Sequence, residues 1–236
     1  MSRGTYGMQG FQLPPLSPWS KKLMIGLFAL YVIELTARNI LQLPIDGLTW
    51  KAFGFGFAPH QLVTRFLIQG DAVIWVVVSG LVLVLLLPTM ERLFPRKQLL
   101  QALLFGALGG TAMGLLVDIA GLAASGTMGW APAVTAMIVL FGLAMPNAVV
   151  QLFFVFPIKA SLIVWGTGLL ALLLMLGSPS IATAEHLGTW LGIYGWWHYV
   201  GPAARKRKLV RAGKSLERHF HVIEGQKQGD QDDWIH

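Results

Sequence analysis

One histidine stands deep within an apolar run, where an imidazole can serve as a general base. His186 lies in the stretch Glu185-His186-Leu187-Gly188. A base of this kind activates a hydroxyl nucleophile, so a serine on a neighbouring helix would complete a dyad. Gly188 and Gly192 form a small-residue face that lets another helix approach closely, and Gly195 extends it. A packed polar residue, satisfied by a neighbouring helix, is the simpler interpretation of His186 taken alone.

The elements that must position His186 are membrane spans. The chain has 236 residues, of which 55% are hydrophobic and 12% charged, too apolar for a soluble domain. Stretches of roughly 20 apolar residues cross a bilayer. Such stretches lie at about 22–41, 68–88, 99–119, 129–147, 160–177 and 181–200. The sequence therefore predicts an all-α membrane protein, a six-transmembrane-helix bundle.

The positive charges predict the orientation of the spans. Fifteen of the 18 lysines and arginines fall in segments that six spans place on one side, and cytoplasmic loops retain positive charge. Both termini are therefore predicted to be cytoplasmic. The domains expected are a cytoplasmic arm at 1–20, a membrane domain at 21–202, and a basic then acidic cytoplasmic tail at 203–236.

The loop between spans one and two is predicted to lie in the membrane interface. Residues 44–60 carry several aromatic side chains interleaved with glycine, and aromatic residues concentrate at that depth. Span three is also rich in glycine, which allows close helix packing in lipid.

Few charged residues fall within the predicted spans. Glu34 and Arg38 are four positions apart and can pair on one helix face. The remaining acids near span interiors or ends are Asp118 and Glu185. A secondary transporter would be expected to carry more intramembrane acids, so a structural ion pair is favoured over an ion pathway. No cysteine is present, and we expect no cofactor and no metal.

The segment after span six is strongly basic. Arg205, Lys206, Arg207 and Lys208 follow one another directly. Such a block binds anionic lipid headgroups, or only fixes the topology of the last span. Nothing in the pattern indicates nucleic-acid binding.

Four stretches together resemble the rhomboid intramembrane serine proteases. They are 59–67, 91–94, the pair 146–148 and 156–160, and Glu185-His186-Leu187-Gly188 with Gly192. The resemblance covers about 57–197 and implies a rhomboid-like bundle with an interfacial loop between helices 1 and 2. It also implies a serine in a G-x-S-G motif at the start of span four, activated by the span-six histidine. A histidine and an asparagine of span two would stabilise the oxyanion.

Carried onto this chain, the resemblance leaves His186 at the base position without its partners. The serine position falls on Ala131, 55 residues before His186, in Gly129-Trp130-Ala131-Pro132. A methyl group cannot attack a carbonyl, and Pro132 removes a backbone N–H near the expected oxyanion site. The two oxyanion positions are lost in either register. They fall on Ile74 and Val78, or on Trp75 and Ser79.

Two functions follow from this pattern. The first is a pseudoprotease, most simply in a bacterial inner membrane, that binds a transmembrane helix of another membrane protein without cutting it. Binding would occur through a lateral opening between spans two and five, and His186 would be hydrogen-bonded within the bundle. The alternative is an active rhomboid serine endopeptidase that uses Ser125, in Ala124-Ser125-Gly126, as a displaced nucleophile with His186.

Overall fold

The computed structural model describes residues 16–53, 56–70, 73–123, 126–152, 156–207 and 209–210. The chain divides into two compact units, Met1–Tyr194 and Gly195–His236. The α-helices are α1 Pro18–Leu35, α2 Gln61–Thr64, α3 Val73–Leu93, α4 Arg96–Ile119, α5 Ala131–Ala144, α6 Ala160–Gly177 and α7 Ile181–Tyr199. Helix α1 continues as a π-helical turn, Thr36–Ile40. Short 3-10 helices occupy Ile45–Leu48 and Arg65–Leu67.

Helices stand at all six predicted spans, but four of them have the length and composition to cross a membrane. Within the described residues these are Pro18–Ile40, Val73–Leu93, Arg96–Ile119 and Ala160–Gly177. Helix α5 has 14 residues, shorter than the roughly 20 that cross the hydrocarbon core directly. Helix α7 has 19 residues, but it carries polar side chains throughout. The chain is thus a mainly helical protein with four helices suited to a membrane.

Two short antiparallel strands lie between α5 and α6 in this mainly helical protein, and the sequence analysis did not predict them. Strands β1 Val149–Leu152 and β2 Phe156–Lys159 pair antiparallel, with Val149 opposite Lys159. The run is rich in valine and phenylalanine, which favour strands. Pro157 lacks the N–H that a continuous helix would need there.

Helix α5 is the centre of the larger unit. It packs against α3, α4 and α6. Six of its 14 residues are buried, with Val139 and Leu140 fully enclosed. Such a helix can be short because protein surrounds most of it.

Glycines bring α4 and α7 into contact. A Cβ at Gly188 would collide with the carbonyl oxygen of Gly109, and a Cβ at Gly192 with that of Phe105. The backbones therefore touch, which favours dispersion contacts between helices in lipid. Gly195 differs, because a Cβ there would meet no atom within 4 Å.

The segment between α1 and α3 packs on protein and not simply at the interface. Trp50 is 1% exposed, and its backbone pairs with that of Thr127 in an isolated antiparallel bridge. Phe53, by contrast, is exposed. We call residues 45–70 the connecting segment.

The smaller unit begins inside α7 and contains the basic residues that follow it. Residues 202–207 and 209–210 are helical. Arg205, Lys206 and Arg207 are exposed, and Arg207 donates to the backbone carbonyls of His198 and Ala203. Lys208 lies outside the described residues, as do most of the arm at 1–20 and the tail from 211.

Candidate functional site

Helix α5 begins at Ala131, the position to which the resemblance assigns the nucleophile. Gly129 has φ of +101°, a conformation that favours glycine, and its N–H donates to the carbonyl of Arg65 at 3.1 Å. The N–H of Trp130 donates to Gln69 Oε1 at 3.1 Å. These bonds fix the start of the helix, so that Ala131 occupies its first position and Pro132 is buried in its first turn. Proline suits this position because an N–H there has no helical acceptor.

His186 is hydrogen-bonded to a threonine on α5. The Nδ1 atom lies 2.8 Å from Thr135 Oγ1, and the direction of donation depends on the imidazole tautomer. Thr135 lies one turn after Ala131, on the same face of the helix. The histidine of α7 therefore reaches the helix that the resemblance implies, but its hydroxyl partner is a threonine one turn further along. Sequence reasoning missed Thr135, although the four-residue spacing from Ala131 was readable.

A hydroxyl bound to an imidazole is the minimal pair for nucleophilic catalysis. Triad chemistry adds a third group that orients the imidazole through its other nitrogen. Within the described part of the chain, no carboxylate bonds to His186, since the adjacent Glu185 is directed elsewhere. The pair can hold and share a proton, and it ties α5 to α7.

Glu185 forms a buried ion pair with Arg65 of the connecting segment. Their side chains are 3% and 1% exposed. Arg65 also donates to Thr111 Oγ1 at 2.8 Å and to the Leu62 carbonyl at 3.2 Å. Its guanidinium lies 4.5 Å from the ring centroid of Trp50. Burial lowers the pKa of Arg65 to about 10, so the group stays charged at neutral pH.

Two further acids hold the same segment. Asp118 of α4 accepts from Trp50 Nε1 at 3.3 Å and from the Phe53 N–H at 2.8 Å. Its side chain is buried. The connecting segment is thereby anchored to the far end of α4, while Glu185 anchors it to α7.

Glu34 supplies the third anchor, from α1. It accepts from the N–H groups of Gln69 and Gly70 at 2.7 and 2.8 Å. Its predicted pairing with Arg38 is also present, at 3.5 Å. Sequence reasoning found this pair but missed that all three intramembrane acids bind one segment, because their partners are mostly backbone groups of distant residues.

The positions that the resemblance assigns to an oxyanion site lie on the outer face of α3. Ile74, Trp75 and Val78 are exposed, and Ser79 is half-buried. Val76, which belongs to neither register, is buried and lies in one cluster with Tyr31 and Trp130. In neither register does the structure bond these side chains to the His186–Thr135 pair. Ser125, the alternative nucleophile, lies outside the described residues.

Comparison of the chain with protein-family models, with curated proteins and with solved structures finds no match.

Proposed function

We propose that this chain is a rhomboid-like pseudoprotease, which binds transmembrane helices of other membrane proteins without cleaving them. One observation carries the proposal. Ala131 starts α5 at the position of the expected serine, while His186 reaches the same face of α5 and bonds to Thr135. The base position is thus retained and the nucleophile position holds a methyl group, which cannot form an acyl-enzyme.

The proposal includes six spans with both termini in the cytoplasm of a bacterial cell. Helix α7 is buried along most of its length, from Ile181 to Ile193. A helix enclosed by protein needs no lipid-facing apolar surface, and its polar groups find partners inside the bundle. Its low hydropathy is therefore compatible with crossing the membrane, and the short α5 is likewise enclosed.

The proposed client surface lies along α3 and α6, the second and fifth spans. Ile74 and Trp75 project outward from α3, and Trp165 and Leu169 from α6. Helix α5 packs against both, and a client helix lying between α3 and α6 would therefore be close to α5. Large aromatic and branched side chains supply the dispersion contacts that drive helix association in lipid.

Cleavage and covalent labelling test the absence of catalysis. The purified chain in proteoliposomes is expected to leave a transmembrane reporter helix intact and to resist a fluorophosphonate. If the unmodified chain is labelled and the labelling is lost in both Ser125→Ala and His186→Ala, the alternative, an active rhomboid endopeptidase, would be established. Labelling lost in Thr135→Val instead would identify a threonine nucleophile. Ala131→Ser combined with Pro132→Gly rebuilds the G-x-S-G motif and is expected to gain labelling that depends on His186.

Site-specific photocrosslinking tests the client surface. Ile74 and Leu116 are 66% and 63% exposed, and both stand near the same end of the bundle, one at the start of α3 and the other near the end of α4. In native membranes, a photoreactive residue at position 74 is expected to crosslink to membrane proteins. The same residue at position 116 is expected not to crosslink to those proteins. Equal capture at both positions would count against a client site at α3.

The basic segment after α7 is proposed to contact anionic headgroups. Arg205, Lys206 and Arg207 are exposed just beyond the last helix. Near a membrane surface each basic residue contributes about 1 kcal/mol of attraction to anionic lipid.

A further inference from the structure

Three helix ends meet at one end of the bundle and enclose a polar crevice. They are the start of α1, the end of α3 and the start of α4. The crevice has a volume of about 250 Å³ and is lined by Ser17, Pro88, Glu91, Arg92 and Arg96. Helices α3 and α4 are both suited to a membrane. The turn that joins them therefore lies at the bilayer surface, at the depth of lipid headgroups.

The acid in the crevice is held by two hydroxyl groups, and its single negative charge offsets only one of the two arginine charges. Ser17 donates its hydroxyl to Glu91 Oε1 at 2.9 Å, and Ser20 donates to Oε2 at 2.6 Å. Ser17 also caps α1 by accepting from the Ser20 N–H. Both carboxylate oxygens are thus occupied in holding the start of α1 against the end of α3.

Arg92 and Arg96 remain without an acidic partner among the described residues. Both side chains are exposed at the crevice. The first turn of α4 increases the imbalance, because it contains Arg96 and Lys97, has no acid, and follows Pro95, which provides no side-chain cap. Cations at a helix N-terminus oppose the helix dipole, whereas an anion there is stabilised.

We propose that this crevice binds the phosphate group of an anionic membrane phospholipid. Two guanidinium groups can each donate paired N–H bonds to phosphate oxygens, and the first turn of α4 adds its positive end. The position at headgroup depth identifies a lipid as the source of the phosphate. This site is separate from the basic segment after α7, and it does not depend on whether the chain binds clients.

Native mass spectrometry of the full chain tests the site. The protein is released from nanodiscs of phosphatidylcholine that contain phosphatidylglycerol, and retained lipid is measured. Arg92→Gln with Arg96→Gln removes both guanidinium groups and is expected to lower phosphatidylglycerol retention by at least about tenfold, the effect of losing even one strong charge-assisted contact. Arg92→Lys with Arg96→Lys keeps the charge but loses the paired donors, and is expected to lose most of the retention as well.

Two comparisons distinguish a specific phosphate site in the crevice from unspecific attraction by surface charge. They use the lysine variant and a charge-matched variant outside the crevice. Lys21→Gln with Lys22→Gln removes the same number of charges from the exposed start of α1, outside the crevice lining, and is expected to leave retention of the bound lipid near the wild-type level. Wild-type retention in the lysine variant, or an equal loss in the control, would overturn the proposal. Displacement of the lipid by excess inorganic phosphate would also overturn it, by assigning the crevice to the free anion. Unchanged thermal unfolding in pure phosphatidylcholine would show that the variants are folded.

Discussion

At the scale of single residues, the buried charged side chains of Arg65 and Glu185 are paired with each other. Arg65 and Glu185 are almost fully enclosed and face each other. Removing one partner of such a pair leaves an uncompensated charge, which costs more than replacing both partners with apolar groups.

We therefore predict that Arg65→Met destabilises the protein by about 3–5 kcal/mol, since Glu185 would be left charged and buried. Combining it with Glu185→Leu should recover part of this loss. The free energy of unfolding in detergent is the measurement. Arg38→Gln serves as the control, because Arg38 is 21% exposed and its loss should cost less. A double variant less stable than Arg65→Met would contradict the prediction.

Residue chemistry was only partly readable from the sequence. His186 was recognised because a histidine in an apolar run is unusual. Its partner Thr135 was not, since a threonine on an apolar helix is common and only the packing of α5 on α7 distinguishes it. The ion pair of Arg65 was missed for a similar reason, because its partner Glu185 lies far away in the sequence.

At the scale of elements, glycine decides which helices touch. The contact between α4 and α7 leaves no room for a Cβ at Gly188, whereas Gly166 of α6 has open space around it. The same substitution should therefore have opposite effects at the two sites.

Gly188→Ala is predicted to destabilise the bundle by about 1–3 kcal/mol, the usual cost of overpacking. Gly166→Ala should be neutral or stabilise by up to about 1 kcal/mol, because alanine favours the helix. Thermal unfolding of both variants provides the comparison. Equal effects would show that the α4–α7 contact is not as close as described.

Apolar runs and composition were sufficient to predict where the helices lie, but not where the strands lie. When the π-helical turn is counted with α1, the predicted spans match the helices to within three residues, apart from the start of α1 and both ends of α3, which differ by four or five residues. Long apolar runs leave few alternatives. The β-hairpin at 149–159 was missed, since its apolar residues merge with the flanking spans and the proline at 157 was read only as part of a motif.

At the scale of the whole molecule, the number of spans determines the side on which each loop lies. A four-span and a six-span topology place the connecting segment on the same side of the membrane, and they also agree on the side of the turn after α3. The two topologies place the segments before and after α6 on opposite sides.

Because the chain lacks cysteine, single cysteines can report these sides. Ser178→Cys, between α6 and α7, is predicted to react with an impermeant maleimide added to spheroplasts, and Val149→Cys is predicted to be protected. Four spans would reverse both results. Lys97→Cys should be protected in either case, and Asp46→Cys should react, which makes them controls for membrane integrity.

The anchoring of the connecting segment by α1, α4 and α7 has a consequence for biosynthesis. Arg65 emerges from the ribosome long before Glu185, which lies on α7. Until α7 is in place, the guanidinium of Arg65 lacks its counter-charge and the connecting segment lacks one of its three attachments. The packing of α7 therefore completes the anchoring of the connecting segment, and a chain truncated before α7 would expose an incompletely anchored segment to the proteases of membrane quality control.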